Sequence, residues 1–171
     1  MRTLKRSTGF SLLLALGLVI GGCSSTAKKD SGSASDSMID EATDSAAEAQ
    51  LNGSSDDNTA GPLKTVYFDF DSSQLSSAAK STLEQNAMWL KASDSVDIQV
   101  EGHADERGGA QYNLALGERR ARVIKSYLEG LGVSSSRITI FSYGKEKPIA
   151  FGHDESAWSK NRRANFVITS K

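Results

Sequence analysis

Two short stretches of the chain alternate between apolar and polar residues. Val96, Ile98 and Val100 are separated by Asp97, Gln99 and Glu101, and residues 64–68 alternate in the same way. A period of two predicts strands with one buried face. Elsewhere the apolar residues recur at helical spacing. Ala79, Leu83, Ala87 and Leu90 line one face of a helix that Ser76 or Ser77 can cap and that ends near Lys91. A second helix is predicted over 110–129, with Gly108 and Gly109 breaking the chain before it and Gly130 or Gly132 stopping it. Residues 137–142 and 165–169 read as two more strands. The loop 144–158 between them carries Pro148 and has room for a short helix near its end. The order β-α-β-α-β-loop-β predicts an α+β fold: a mixed four-stranded sheet with helices packed on one face.

This patterned part, residues 63–171, is 109 residues long, a usual size for one folding unit. The residues before it differ in kind. Arg2, Lys5 and Arg6 precede an apolar run over 10–20, eleven residues interrupted only by Ser11 and Gly17. That is a signal-peptide pattern, too short to span a bilayer. Ile20-Gly-Gly-Cys23 follows and holds the only cysteine, so no internal disulfide can form. Residues 1–22 are therefore expected to be a leader. Cys23 is expected to be an acylated N-terminus, because the cysteine sits where cleavage is expected; an incidental thiol is the alternative. Residues 23–62 are expected to be a disordered tether. From Ser24 to Pro62 there is no Phe, Tyr or Trp, and eight acidic residues face two basic ones. Such a composition cannot bury enough apolar surface to offset chain entropy.

The segment 63–171 carries fifteen Lys and Arg against thirteen Asp and Glu, with no long basic stripe interleaved with aromatics. Nucleic acid is not an expected partner. The chain has no nucleophile elbow, no His-Glu-x-x-His, no phosphate loop and no Cys-x-x-Cys, so neither an enzyme nor a cofactor is expected. His103, Asp105, His153 and Asp154 match no metal-ligand spacing, and ordinary hydrogen bonding accounts for both histidines. The most informative stretch is Glu101-Gly-His-Ala-Asp-Glu-Arg-Gly108 with Asn113-Leu-Ala-Leu-Gly-Glu-Arg-Arg-Ala121. It reads as a strand end, an acidic turn and a helix. Leu116, Arg120, Ile124 and Leu128 share one face of that helix, so Arg120 sits in an otherwise apolar row. A charge in such a row needs a partner. From spacing alone that partner is either a strand-end acid in a structural salt bridge or a bound ligand.

Glu101–Ala121 resembles the peptidoglycan-binding segment of the OmpA-like family. Four further stretches agree with its lipoprotein members: Val66-Tyr-Phe-Asp-Phe-Asp71, Ser142-Tyr-Gly-Lys-Glu-Lys-Pro148, Gly152-His-Asp-Glu155 and Ser159-Lys-Asn-Arg-Arg-Ala164. The resemblance implies an OmpA-like α/β sandwich that binds peptidoglycan without covalent attachment. It implies that Asp105 takes the ammonium, and Arg120 the carboxylate, of diaminopimelate in an uncross-linked stem peptide. Ala104, Asn113 and Leu116 belong to the same motif, Asn113 as a bond to the 103–109 turn and Leu116 as packing. Phe68 and Asp69, at the end of the first strand, are candidates beside the turn. Core packing for Phe68, and local turn bonding for Asp69 and Asp71, are the alternatives. The resemblance further implies an outer-membrane lipoprotein, anchored through Cys23 with its domain in the periplasm. Its implied protein partner is the periplasmic propeller TolB, with a role for the Tol system in envelope constriction at division. A wall-anchoring lipoprotein outside that system, serving motility or secretion, is the alternative.

Overall fold

A computed structural model describes residues 49–171. The expected leader, Cys23 and the tether as far as residue 48 lie outside the described residues. The described chain forms β1 (Val66–Tyr67), α1 (Ser77–Ala92), β2 (Asp97–His103), α2 (Ala110–Gly130), β3 (Ile138–Gly144), α3 (Glu155–Asn161) and β4 (Arg163–Ser170). The sheet order is β1-β4-β2-β3. β2 runs parallel to β3 and antiparallel to β4, and β1 pairs antiparallel with β4. The sheet is therefore mixed and four-stranded, as the order of elements predicts. α3 occupies the end of the loop in which a short helix was expected.

Ser76 caps α1, its hydroxyl accepting from the Ala79 N–H at 3.1 Å. The apolar row Ala79, Leu83, Ala87 and Leu90 is buried against Ile98, Val100, Phe166 and Ile168 of the sheet and Ile124 and Leu128 of α2. Alternate residues of β2 supply Ile98 and Val100 to this core, while Glu101 and His103 lie on the other face. α2 crosses β2 at two glycines. A Cβ on Gly102 would stand 1.9 Å from the Gly117 carbonyl oxygen, and a Cβ on Gly117 2.3 Å from the Ser142 hydroxyl. Only glycine at both positions lets the helix approach the strand this closely, and the approach sets the height of Arg120 above the sheet.

The ordered fold begins before Leu63, where the sequence places its start. Residues 52–55 run along the edge of β4 that the two-residue β1 leaves open. The Asn52 and Ser55 N–H groups donate to the Ile168 and Phe166 carbonyls, and Ile168 N–H donates to Gly53. Ser54, Ser55 and the Asp56 N–H then close on the Asn165 side-chain carbonyl. Ala60 and Leu63 are fully buried. The polar composition of 49–62 hides this because the segment is held by hydrogen bonds and one ion pair rather than by an apolar face. Edge pairing of this kind also covers a strand that would otherwise present free N–H and C=O groups.

Candidate functional site

β2 ends at His103, and the chain turns through Ala104–Gly109 before α2 begins. The turn is fastened from several sides. Ala104 N–H donates to the Gly144 carbonyl at 2.7 Å. The Asp105 carboxylate accepts the Arg107 N–H at 3.1 Å, and the Asn113 amide of α2 donates to the Arg107 carbonyl at 2.9 Å. Lys145 donates to the Gly108 carbonyl at 2.7 Å, and Gly108 has φ +87°. Opposite the turn, the chain leaves β1 after Tyr67 and reverses at Asp71, which has φ +53°.

Between these segments lies a cavity of about 140 Å³ lined by Ala104, Asp105, Asn113, Leu116 and Arg120, with Phe70, Asp71, Arg107, Gly108 and Tyr112 completing its wall. Five of the seven expected ligand-site residues therefore meet at one place. Phe68 and Asp69 do not line it. Phe68 is buried in the core, with the Arg120 guanidinium 5.1 Å from its ring centroid. Asp69 contributes its carbonyl to Arg120 at 3.0 Å. The side chains that take their place at the cavity are Phe70 and Asp71, two residues further on. β1 is too short to carry Phe68 to the turn, and the reversal at Asp71 brings the next Phe-Asp pair over instead.

Arg120 is fully buried. Its guanidinium donates to three backbone carbonyls: Ser72 at 2.8 Å, His103 at 2.7 Å and Asp69 at 3.0 Å. A guanidinium has five N–H groups, so two remain, one on each terminal nitrogen. Among the described residues it forms no ion pair within 4.0 Å, which disposes of the structural salt bridge to a strand-end acid. Burial pulls its pKa down to about 10, opposed by the nearby Asp105 charge, so it stays a cation at neutral pH. The result is a buried positive charge held by neutral dipoles, without a counter-ion in contact.

The Asp105 carboxylate, also buried, is engaged elsewhere. Arg107 forks onto it, Nε to Oδ1 at 3.2 Å and Nη2 to Oδ2 at 2.6 Å, and Arg162 Nη1 approaches Oδ2 at 3.5 Å. Burial alone would raise its pKa, but the bonds from Arg107 and Arg162 outweigh burial and hold the group below its ordinary value. Arg162 is itself fixed by the Phe68 carbonyl at 3.1 Å and by Glu155. Tyr112 donates to the Asp71 carboxylate at the rim.

Arg107, Arg162, Phe70 and Tyr112 receive no role from the sequence, and Asp71 only that of local turn bonding. The spacing Asp105-x-Arg107, which permits a side chain to close on its own turn, was the one available signal. His103 also departs from expectation. Ordinary hydrogen bonding is the expectation for its ring nitrogens, yet among the described residues neither has a hydrogen-bond partner. The ring stacks on Tyr143 at 5.5 Å, with Nε2 3.8 Å from Glu101. Burial lowers its pKa, so it is held neutral. His153 lies outside the cavity, where its exposed Nδ1 pairs with Glu106 at 2.8 Å.

A strand-turn-helix cradle with a buried arginine at its floor and an aspartate on its wall is set in a mixed α+β sheet. Comparison places this arrangement in a known class. The OmpA family model matches residues 67–162. The chain belongs to the OmpA family, on its peptidoglycan-associated lipoprotein branch. The peptidoglycan-associated lipoprotein of Mesorhizobium japonicum is 45% identical over 147 residues, covering 86% of this chain and 83% of that protein. That of Pseudomonas aeruginosa is 41% identical over 165 residues, covering 95% and 97%. The crystal structure of the peptidoglycan-associated lipoprotein from Burkholderia pseudomallei superposes with a TM-score of 0.61 at 44% identity, covering 63% of this chain and 93% of that one. The C-terminal domain of Helicobacter pylori MotB, at 22% identity and a TM-score of 0.60, shares the fold.

Proposed function

We propose that the chain is a wall-anchoring lipoprotein whose cavity binds the free zwitterionic end of diaminopimelate in peptidoglycan stem peptides. The observation that carries this reading is Arg120: a fully buried guanidinium that lines the cavity and has no contacting counter-ion among the described residues. A carboxylate entering the cavity supplies that charge and can take the two remaining N–H groups as a fork. Asp105 stands on the same wall and offers a negative charge for the ammonium. Leu116 and Ala104 give the cavity an apolar flank for the methylene chain between the two charged groups. The relatives on this branch are peptidoglycan-associated lipoproteins, which supports a peptidoglycan ligand and a lipid anchor.

On this reading Cys23 carries the acyl chains, residues 24–48 span from the membrane to the folded part, and the domain works in the periplasm against the wall. The outer membrane is the proposed address and TolB the proposed protein partner, with a role in envelope constriction at division. Non-covalent anchoring needs no catalysis and no cofactor.

The test is co-sedimentation of the chain with purified sacculi, with free meso-diaminopimelate as competitor. Sedimentation that diaminopimelate reverses and that Asp105→Ala abolishes is the expected result. Full sedimentation of a folded Asp105→Ala protein would remove the cavity from the reading. A pull-down with TolB tests the partner separately.

A further inference from the structure

The Asp105 carboxylate has little capacity left in the free protein. Oδ1 accepts the Arg107 N–H and Nε, and Oδ2 accepts Arg107 Nη2 and lies 3.5 Å from Arg162 Nη1. Four lone-pair directions are thus occupied by four donors. An ammonium group can reach this carboxylate only by replacing one of them. The two arginines are not equally replaceable. Arg162 is 7% exposed and tied also to Phe68 and Glu155. Arg107 is 30% exposed, reaches Glu155 only at 3.9 Å and lies at the cavity wall, so solvent is available to it when it lets go.

Arg107 is nevertheless held in place deliberately. Its guanidinium carbon sits 3.9 Å from the Phe70 ring centroid and 4.0 Å from that of Trp158, a cation between two aromatic faces. Trp158 is anchored in turn by its indole N–H, which donates to Glu106 at 2.8 Å. The clamp is therefore braced from α3 as well as from the cavity.

From this geometry we infer that Arg107 is a latch that occupies the ammonium subsite of the proposed wall-binding site and must swing off Asp105 for a zwitterionic ligand to enter. The inference rests on the reading of the cavity given above and adds a conformational cost to it. The observed affinity is the intrinsic one reduced by the fraction of molecules with the latch open. A partly exposed ion pair and a cation between aromatic rings set that reduction at about threefold to tenfold.

The experiment uses the full-length chain carrying Trp89→Phe, which leaves Trp158 as the single indole, since the sequence has two tryptophans. Meso-diaminopimelate is titrated while affinity is read by calorimetry and Trp158 emission by fluorescence. Trp158 does not line the cavity, so its emission reports loss of the guanidinium from its face rather than ligand contact. In the parent protein, binding is expected to shift the emission. Arg107→Gln is expected to bind about threefold to tenfold more tightly, with emission already shifted before ligand is added. Trp158→Leu, which removes one side of the clamp and keeps the arginine, is expected to tighten binding in the same direction. Saturable binding that Arg107→Gln leaves unchanged or weakens, or that proceeds with constant Trp158 emission in the parent, overturns the latch and leaves the wall-binding reading standing. Absence of binding in both the parent and Arg107→Gln overturns both.

Discussion

Asp56 and Arg163 form a buried ion pair, Oδ2 to Nε at 2.7 Å, with side chains 8% and 2% exposed. It joins a segment with the composition of a linker to the first residue of β4. Asp56 also accepts from the Thr65 hydroxyl at 2.8 Å, which holds the approach to β1. Replacing Asp56 with alanine leaves a buried guanidinium unpaired and is expected to cost about 3–5 kcal/mol. Urea unfolding measures it. A fragment starting at residue 63 should show the loss as well, because it lacks Asp56 and the pairing of 52–55 with β4. An unchanged midpoint in either protein would show that the segment is dispensable.

The glycine crossing of α2 over β2 gives a second expectation. Gly117→Ala places a Cβ against the Ser142 hydroxyl and 2.7 Å from the Gly102 carbonyl. The hydroxyl can rotate away but the backbone cannot. A loss of about 1–3 kcal/mol is expected from overpacking. Since Arg120 lies one turn further along α2, wall binding should weaken beyond the loss of folded protein. Combining Ser142→Ala with Gly117→Ala should recover only part of the stability.

Arg120→Lys tests the difference between a point charge and a fork. Lysine cannot satisfy the Asp69, Ser72 and His103 carbonyls together. The substitution is expected to abolish sedimentation with sacculi and also to destabilise the domain, by about 1–3 kcal/mol for the carbonyls left unsatisfied. Arg120 is thus a structural residue as well as the proposed carboxylate-binding one. Asp105→Asn keeps most of the local shape and is the cleaner probe of ligand affinity.

The buried neutral His103 makes stability depend on pH. Its folded pKa lies below the ordinary 6.5, with burial as the largest cause and Glu101 opposing it. The unfolded chain therefore binds a proton before the folded one does. The contribution is fully present above pH 6.5 and is lost progressively as pH falls from there towards the folded pKa. His103→Phe keeps an aromatic ring beside Tyr143 and removes the two unpartnered nitrogens. It is expected to flatten the stability profile just below pH 6.5, as read by thermal unfolding across that range. An unchanged slope would assign it to other groups.

His153 moves the other way. Its bond to Glu106 raises its pKa above 6.5. The stabilisation is present below 6.5 and disappears as pH rises through the raised value. The imidazole resonances followed by NMR should titrate above 6.5, and Glu106→Gln should bring them back towards it. Titration at or below 6.5 in the parent would mean the pair does not persist in solution.

What could be read along the chain follows from local periodicity. The alternation at 96–101 and the i, i+4 rows of both long helices state which face is buried, and a face carries that information without knowledge of its neighbours. The order of those elements constrains topology, so the mixed four-stranded sheet was legible. So was the oddity of Arg120, since a charge in an apolar row is visible in one dimension. Its partners were not. Three carbonyls from 17 to 51 residues away hold it, and carbonyls carry no side-chain signature. Phe70 and Asp71 replace Phe68 and Asp69 at the cavity because of where the chain reverses, a backbone property that two neighbouring Phe-Asp pairs cannot distinguish. Arg107 reaches Asp105 from two residues away within the turn, but Arg162 comes from 57 residues away, a meeting that only closure of the fold brings about. The segment 49–62 lacks an apolar face, so its burial rests on an ion pair and an open strand edge that exist only once β4 is in place. Hydrophobic periodicity is a property of sequence. Charge pairing and edge pairing depend on distances that the tertiary structure alone decides.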